Sequence, residues 1–251
     1  MKRLAVLGVS NMLSDIFDCA LALGCAEFRI VVNTEEVLRP RTRSFRDRVA
    51  ELPAGVRAQV CRFEEFTPEP GFAFFLGTTA PGRYRLWLAT RARWQVPLCN
   101  LVHPAAHVSP LAFLAEGVFV GAGSVVAASA TLNQCAFVNR AASVGHDAVV
   151  GPFARIQPGA HVGGHVRVGA FATVGLGARV IEEIEVGDRA LVAAGAVVTR
   201  DVPAGHLAAG GRSLVRSPQT DGQELPAWRD LAPALPTPTR VNDGRTVTAQ
   251  G

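Results

Sequence analysis

The chain has 251 residues, of which 49% are hydrophobic, and carries a formal net charge of +4, so it is long enough for one or two domains with cores of their own. Its five cysteines lack the spacing of a zinc site or a disulfide framework, which predicts reduced thiols, a cytoplasmic location and no bound metal. The first apolar run is too short for membrane insertion. The arginines form short groups with little aromatic interleaving, which suits a phosphorylated small molecule at least as well as nucleic acid, and we expect no nucleic-acid partner.

Residues 1–98 are predicted to form a small α/β domain of the Rossmann-like kind. The apolar run Leu4–Gly8 predicts a strand, the spacing of apolar residues over Met12–Leu23 predicts a helix, and the run Arg29–Val32 predicts a second strand. A further apolar strand is predicted over Phe72–Leu76, and a helix rich in arginine follows it.

Two loops at the ends of these strands are candidate contacts for a nucleotide. The turn with Ser10, Asn11 and Met12 stands where a nucleotide-binding fold holds phosphate or ribose at a helix N-terminus. It lacks the second and third glycines of a dinucleotide fingerprint. Two interpretations stay open, a looser nucleotide or sugar-nucleotide pocket and a simple helix N-cap. Gly77 and Thr78 follow the last strand and form either a pocket rim or an ordinary connection.

From Val102 to Val198 an aliphatic residue falls at every sixth position, seventeen times without a skip. A period of six fits neither a helix nor an alternating strand and predicts a hexapeptide repeat, in which three hexads form one triangular coil. The aliphatic side chains then point into a prism, and stacked coils bury them in continuous columns. We predict a parallel β-helix over 99–216, whose handedness the period does not determine, and a Pro-rich, mobile or loosely draped tail over 217–251.

The catalytic residues are predicted where the coils depart from the simple hexapeptide pattern. His146 comes just after an inward position, so its imidazole points outward, and the neighbouring Asp147 can favour one tautomer and stabilise the imidazolium of a general base. Gly164 lies one full coil further on, so its N–H stacks near His146 and can face a developing oxyanion. Taken alone, an exposed histidine at a turn is more often inert.

This stretch, with the α/β domain before it, resembles the bacterial sugar O-acyltransferases of the sialic acid O-acetyltransferase type, and in particular the acetyl-CoA-dependent N-acetyltransferases of nucleotide-linked 4-amino-4,6-dideoxy sugars. The resemblance covers about residues 2–212. Its most specific motifs are Val138-Asn139, Val144-Gly145-His146-Asp147, Val150-Gly151-Pro152-Phe153, Pro158-Gly159-Ala160 and Gly163-Gly164. It implies a left-handed β-helix and direct transfer from acetyl-CoA, in which a histidine takes the proton from the acceptor and no acyl-enzyme forms.

Carried over by position, the resemblance implies a role for each site residue. His146 is the base, Asp147 its carboxylate neighbour, Asn139 a contact to substrate or base, and the Gly164 amide an oxyanion donor. The resemblance also implies a homotrimer with acetyl-CoA in the groove between neighbouring prisms, and a nucleotide-linked sugar bound by the N-terminal domain. The implied backbone contacts to acetyl-CoA are Gly175, Leu176, Ala194 and Gly195.

Two departures from the family pattern bear on the substrates. Relatives place a second histidine, which contacts coenzyme A, where this chain has Arg155, and an acidic pair where it has Asn33 and Thr34. We expect Arg155 to meet the thioester region or a phosphate. Asn33 and Thr34 are expected to contact the sugar nucleotide.

The predicted function is acetylation of the amino group of a nucleotide-linked amino sugar. A sugar hydroxyl and another small amine remain alternative acceptors. A zinc hydratase with the same prism needs converging histidines, and His146, His161 and His165 lack that spacing. A non-catalytic scaffold would not need the pair His146-Asp147, and this pair argues against that alternative.

Overall fold

The structure is a computed structural model that describes residues 1–33, 43–78, 82–210, 214–216 and 239–240. The predicted substrate residue Thr34 lies outside the described residues, and so does the predicted tail apart from residues 239–240. No helix in the described ranges combines the length and the apolar composition that crossing a bilayer requires.

A parallel sheet of four strands forms the N-terminal part of the fold, in agreement with the predicted Rossmann-like unit. Its elements are β1 (Arg3–Leu7), α1 (Leu13–Ala22), β2 (Glu27–Val32), α2 (Phe45–Ala50), β3 (Arg57–Arg62), β4 (Ala73–Leu76) and α3 (Gly82–Trp94). The strand order is β3-β2-β1-β4, so the winding reverses between β1 and β4. The loops that leave these two strands diverge at a switch point, which is where open α/β sheets bind their ligands.

The hexads form a left-handed parallel β-helix of three sheets, to each of which a coil contributes one strand of two residues. The first sheet contains β5 (Leu101–Val102), β8 (Phe119–Val120), β11 (Phe137–Val138), β14 (Arg155–Ile156), β17 (Thr173–Val174) and β20 (Leu191–Val192). The second contains β6 (His107–Val108), β9 (Val125–Val126), β12 (Ser143–Val144), β15 (His161–Val162), β18 (Arg179–Val180) and β21 (Val197–Val198). The third contains β7 (Phe113–Leu114), β10 (Thr131–Leu132), β13 (Val149–Val150), β16 (Arg167–Val168) and β19 (Glu185–Val186).

All seventeen aliphatic residues of the period are buried, and they pack in one cluster with the alanines of the corners. In each of the two-residue strands from β5 to β21 the second residue therefore faces the interior, and the first residue faces outward. Burial of one such side chain contributes about 1.5–3 kcal/mol. A column of this length explains how strands of two residues remain ordered, since each coil is stabilised by the coils above and below it.

Both ends of the prism carry added strands. β22 (Leu207–Ala209) extends the first sheet, and β23 (Leu214–Arg216) pairs antiparallel with it. At the opposite end β24 (Thr239–Arg240) pairs antiparallel with β7 of the third sheet. These strands cover backbone edges that would otherwise be open to pairing with another chain.

The α/β domain packs on the outward face of the first sheet. Phe119 and Phe137 stack there with their ring centroids 4.3 Å apart, in one cluster with Phe75 of β4 and the apolar face of α1. The first residues of the early hexads are aromatic or large in this sheet because they face the domain instead of solvent. The joint fixes the N-terminal sheet against the first coils.

Arg83 of α3 crosses this joint as a buried cation that is 2% exposed. Its guanidinium donates hydrogen bonds to the carbonyl oxygens of Gly117 at 2.8 Å, and of Leu76 and Thr78 at 3.3 Å each. Burial lowers the pKa of the guanidinium, and among the described residues no carboxylate forms a salt bridge with it. The three carbonyl oxygens are the polar groups that compensate the charge, so Arg83 links β4 to the prism.

Replacement of Arg83 by Met should lower the free energy of unfolding by about 2–4 kcal/mol, because a buried carbonyl that loses its partner costs about 1–3 kcal/mol. The matched control is Arg85→Met on the same helix, since Arg85 is exposed. Substitutions of exposed residues of this kind change the free energy of unfolding by at most about 0.5 kcal/mol. Urea unfolding followed by circular dichroism measures both free energies of unfolding. Equal losses in the two variants would contradict the role of Arg83 as a link between β4 and the prism.

Candidate active site

His146 and Asp147 lie in the turn between β12 and β13, at the edge where the second and third sheets meet. The His146 side chain is 57% exposed, and its Nδ1 lies 2.9 Å from Asp147 Oδ2. A carboxylate oxygen accepts, so Nδ1 carries the hydrogen and the lone pair of Nε2 is free. The imidazole thus points outward, with one nitrogen held by Asp147 and the other available to take a proton.

Gly164 occupies the same edge one coil further on. A Cβ atom at Gly164 would lie 2.8 Å from both Cε1 and Nε2 of His146, so only glycine leaves room for the ring in this position. In the described part of the chain the Gly164 N–H donates to no oxygen, whereas the next residue, His165, donates its N–H to the His146 carbonyl oxygen at 3.0 Å. A free N–H beside the imidazole is the kind of donor that stabilises an oxyanion.

His165 is a neighbour of His146 that the sequence analysis did not select as a site residue. Its ring meets the His146 ring edge to face, with centroids 5.1 Å apart. One ligand atom from each of His146, Asp147 and His165 falls within 4.8 Å of the others, and all three residues are exposed. His165 follows His146 by one coil plus one residue, and this offset was the signal in the sequence. It brings the His146 and His165 side chains together only because the coils stack in register.

Asn139 lies at a different edge of the prism, in the turn between β11 and β12 where the first and second sheets meet. It is 4% exposed, and its Oδ1 accepts a hydrogen bond from the N–H of Arg140 at 2.8 Å. Its main-chain carbonyl oxygen accepts from Ser124 Oγ at 2.7 Å. Within one chain, therefore, Asn139 stands apart from His146 and its polar groups serve the corner of the coil.

The predicted contacts to acetyl-CoA share the edge of Asn139. Gly175 and Leu176 follow β17, and Ala194 and Gly195 follow β20, all at the edge between the first and second sheets. Leu176 is among the most exposed large apolar residues of the described chain, at 58%. The structure thus separates the predicted residues into two groups, one on each edge of the second sheet.

Arg155 lies on the outward face of the first sheet, between Phe137 and Thr173. One of its terminal nitrogens donates to Thr173 Oγ1 at 2.9 Å, and its buried Nε has no partner among the described residues. Burial lowers the pKa of this guanidinium. A guanidinium that is only partly buried can bind an anionic oxygen through a terminal nitrogen.

The N-terminal candidates meet at the switch point of the four-stranded sheet. Ser10 Oγ donates to the Gly77 carbonyl oxygen at 2.7 Å and accepts from the Met12 N–H at 3.2 Å. Asn33 Oδ1 accepts from the N–H of Val9 at 3.4 Å. The three loops that follow β1, β2 and β4 are therefore tied to one another by the predicted residues.

The geometry of this cluster bears on the two interpretations of the loop. Met12, and neither Ser10 nor Asn11, occupies the N-cap position of α1, and it makes no side-chain capping bond. Thr78 Oγ1 is buried and lacks a partner among the described residues. A simple cap thus does not account for the polar groups collected here.

Comparison with solved structures identifies the fold and the family. The chain is 30% identical to the acetyltransferase domain of PglB from Neisseria gonorrhoeae FA1090, solved in complex with acetyl coenzyme A, with a TM-score of 0.69 over 86% of this chain and 99% of that one. A mutant of perosamine N-acetyltransferase from Caulobacter crescentus, in complex with CoA and GDP-perosamine, is 24% identical, with a TM-score of 0.66 over 86% and 97% of the two chains. WeeI from Acinetobacter baumannii AYE shares the fold at 18% identity and a TM-score of 0.68, over 86% and 100%.

Scans against protein-family models and against curated proteins give no match. The structural match to the PglB domain nevertheless extends over almost the whole of that domain and over both parts of this fold. The chain therefore belongs to the left-handed β-helix sugar acetyltransferases.

Proposed function

We propose that this acetyltransferase moves the acetyl group of acetyl-CoA to the amino group of a nucleotide-linked amino sugar, with His146 as the general base. The observation that carries the proposal is the exposed His146-Asp147 pair beside the free N–H of Gly164. The bound acetyl coenzyme A of the PglB domain and the CoA and GDP-perosamine of the Caulobacter enzyme support the two substrate classes.

The reaction follows from the positions of these groups. The amine nitrogen attacks the thioester carbonyl carbon, while Nε2 of His146 takes the amine proton. Asp147 stabilises the imidazolium, and the Gly164 N–H donates to the carbonyl oxygen as it gains charge. The carbon–sulfur bond then breaks, and the coenzyme A thiolate takes the proton from His146. The base is thereby restored without an acyl-enzyme.

The separation of the candidate residues supports a homotrimer with the active site between two chains. His146 and Gly164 lie on one edge of the second sheet, and Asn139, Gly175 and Leu176 lie on the other. In a closed ring of three chains every interface joins two different surfaces, so one edge of each prism meets the other edge of its neighbour. Such a ring completes three equal sites, each with a base from one chain and backbone contacts to acetyl-CoA from the next.

The acceptor is proposed to bind through the N-terminal domain. Ser10, Asn33 and Gly77 converge at the switch point of the sheet, and Thr78 has a hydroxyl without a partner among the described residues. Such a loop cluster suits a nucleotide, because backbone N–H groups and small side chains let phosphate and ribose approach the main chain. The proposed set also includes Asn11 and Met12 of the same loop, and Thr34.

Arg155 is proposed as a contact to coenzyme A. Arg155 pairs with Thr173 in the first sheet, and Thr173 pairs in turn with Leu191. Gly175 and Ala194 come shortly after these two partners in the chain, at the edge of the same sheet. A guanidinium binds a phosphate or a carbonyl oxygen with charge-assisted hydrogen bonds. Free cysteines throughout the chain favour a reducing compartment, and a cytoplasmic location is part of the proposal.

The test is a panel of nucleotide-linked amino sugars and matched hydroxy sugars, incubated with acetyl-CoA, with the product identified by mass spectrometry and free coenzyme A measured with a thiol reagent. Acetylation of an amine acceptor supports the proposal. Acetylation of hydroxyl acceptors alone would move the enzyme to the O-acetyltransferases, and turnover of neither class in the folded protein would reject it.

The thiol assay requires a low background from the protein, and the structure predicts one. Cys19, Cys25, Cys99 and Cys135 are buried, and Cys61 is partly buried. Burial raises the pKa of Cys19 and Cys99 to about 12 and that of Cys135 to about 11, so few thiolates form at neutral pH. We expect at most one thiol per chain, Cys61, to react quickly in the native protein, against all five in denaturant. Fast reaction of several thiols would contradict the described core.

A further inference from the structure

The edge that carries the base also brings together a set of metal ligands. His146, Asp147 and His165 each offer one ligand atom, and these atoms lie within 4.8 Å of one another. Two imidazoles and one carboxylate are the ligands of open zinc sites, in which water takes the remaining position. One carboxylate is too few for the all-oxygen coordination that magnesium and calcium prefer.

The distances allow coordination after small movements of exposed side chains. Ligand atoms around a tetrahedral zinc ion with bonds of about 2.0–2.1 Å are about 3.3 Å apart. Nδ1 of His146 and Oδ2 of Asp147 are already 2.9 Å apart, and the His165 ring approaches edge to face. Because all three side chains are exposed, rotation about their χ angles meets little resistance.

The backbone beneath these side chains is held by the stacking of the coils. The His165 N–H donates to the His146 carbonyl oxygen at 3.0 Å, and the Asp147 N–H donates to the Ala128 carbonyl oxygen at 3.1 Å. Asp147 and His165 both adopt φ of 57° at successive corners of the same edge. A frame fixed in this way removes much of the ordering cost that loose ligands incur on binding an ion.

We propose that His146, Asp147 and His165 form a binding site for a divalent transition-metal ion of the zinc class, and that the ion blocks acetyl transfer. The first half rests on the ligand geometry alone, and the second half rests on the proposed function. A dication bound to Nδ1 of His146 and to Asp147 takes the place of the hydrogen that Nδ1 donates to the carboxylate, so the one N–H of the neutral imidazole is at Nε2. The imidazole then cannot take the proton of the acceptor.

This arrangement differs from the three-histidine zinc site of the hydratases. His161 Nδ1 lies 2.8 Å from Ser143 Oγ on the outward face of the second sheet, whereas His146 and His165 meet at the edge between the second and third sheets. The proposed ligands come from one chain. In the proposal the ion inhibits His146 reversibly and takes no part in the reaction.

The test measures zinc binding and acetyl transfer separately. Titration of the purified protein with ZnCl2, read by calorimetry, should give one site per chain, and His165→Asn should weaken it at least about tenfold, by analogy with the loss caused by weaker supporting contacts. Asparagine tolerates the positive φ of position 165, so this variant should fold. His161→Asn is the matched control and should bind zinc as the wild type does.

The second arm follows the acetylated product by mass spectrometry, because zinc also binds the thiol of free coenzyme A. Micromolar zinc should inhibit the wild type, a chelator should restore it, and His165→Asn should resist inhibition relative to its own zinc-free rate. Absence of zinc binding, or binding unchanged by His165→Asn, would overturn the inference. If zinc binds through His165 but no acceptor is acetylated, the metal site stands and the proposed function fails.

Discussion

Replacement of His146 by Asn should lower kcat by about two to four orders of magnitude, the usual contribution of a positioned general base. Asparagine retains a polar side chain of similar reach to Nδ1 but has no group that takes a proton from an amine near neutral pH. The KM for acetyl-CoA should change little, since the proposed contacts that hold coenzyme A are main-chain groups and Arg155, all of which the variant retains. Initial rates with the amine acceptor identified by the panel measure both constants.

The control for this experiment is a histidine that shares the prism but lies away from the base. His107 is exposed on the second sheet, and His107→Asn should retain the wild-type rate. Melting curves should be the same for both variants, because the His146 side chain is largely exposed and buries no apolar area that its loss would uncover. A folded His146→Asn enzyme with undiminished kcat would exclude His146 as the base.

Replacement of Gly164 by Ala should lower kcat by about a hundredfold, while leaving the fold intact. The added methyl would lie 2.8 Å from Cε1 and Nε2 of His146, so the ring must move, and displacement of a reacting group by about 1 Å costs rates of this order. The main-chain N–H of residue 164 is retained. The loss therefore reports the position of the base, and not the removal of the oxyanion donor.

Gly145 supplies the contrasting variant. A Cβ at Gly145 would lie 2.5 Å from the Gly163 carbonyl carbon and 2.6 Å from the Gly164 nitrogen, which are backbone atoms that cannot move aside. Gly145→Ala should thus lower the free energy of unfolding by about 1–3 kcal/mol, and Gly164→Ala by less. Thermal melts measured beside kcat distinguish the two effects. Unchanged activity in Gly164→Ala would show that the imidazole does not work from its described position.

The prism could be predicted from the sequence because its signal does not depend on local propensity. Strands of two residues have no preference of their own, yet each strand from β5 to β21 ends on the aliphatic residue of the period, and every such residue is buried. The edge strand β3 could not be predicted in this way, because its residues are mostly exposed and show no apolar run. Its place in the sheet comes from backbone pairing with β2.

The site could be predicted only in part. The outward direction of His146 follows from its position after an inward residue, and the neighbour Gly164 follows from the length of one coil. The same period places Asn139 one hexad, and so one edge of the prism, before His146, so the distance between them within one chain could also have been predicted. His165 was missed because its ring reaches that of His146 from a corner residue with left-handed backbone, a conformation that the hexad period does not indicate.

Because neighbouring strands of a sheet are about 4.8 Å apart, the position of any corner residue along the prism is set in steps of that size. The α/β domain packs on several successive coils, since Phe119 and Phe137 contact its sheet and Phe153 and Phe171 contact Tyr84 of α3. His146 lies between Phe137 and Phe153 in the chain, within the same stretch of coils. Removal of one coil from this stretch would therefore shift some of the domain contacts by one such step relative to the others.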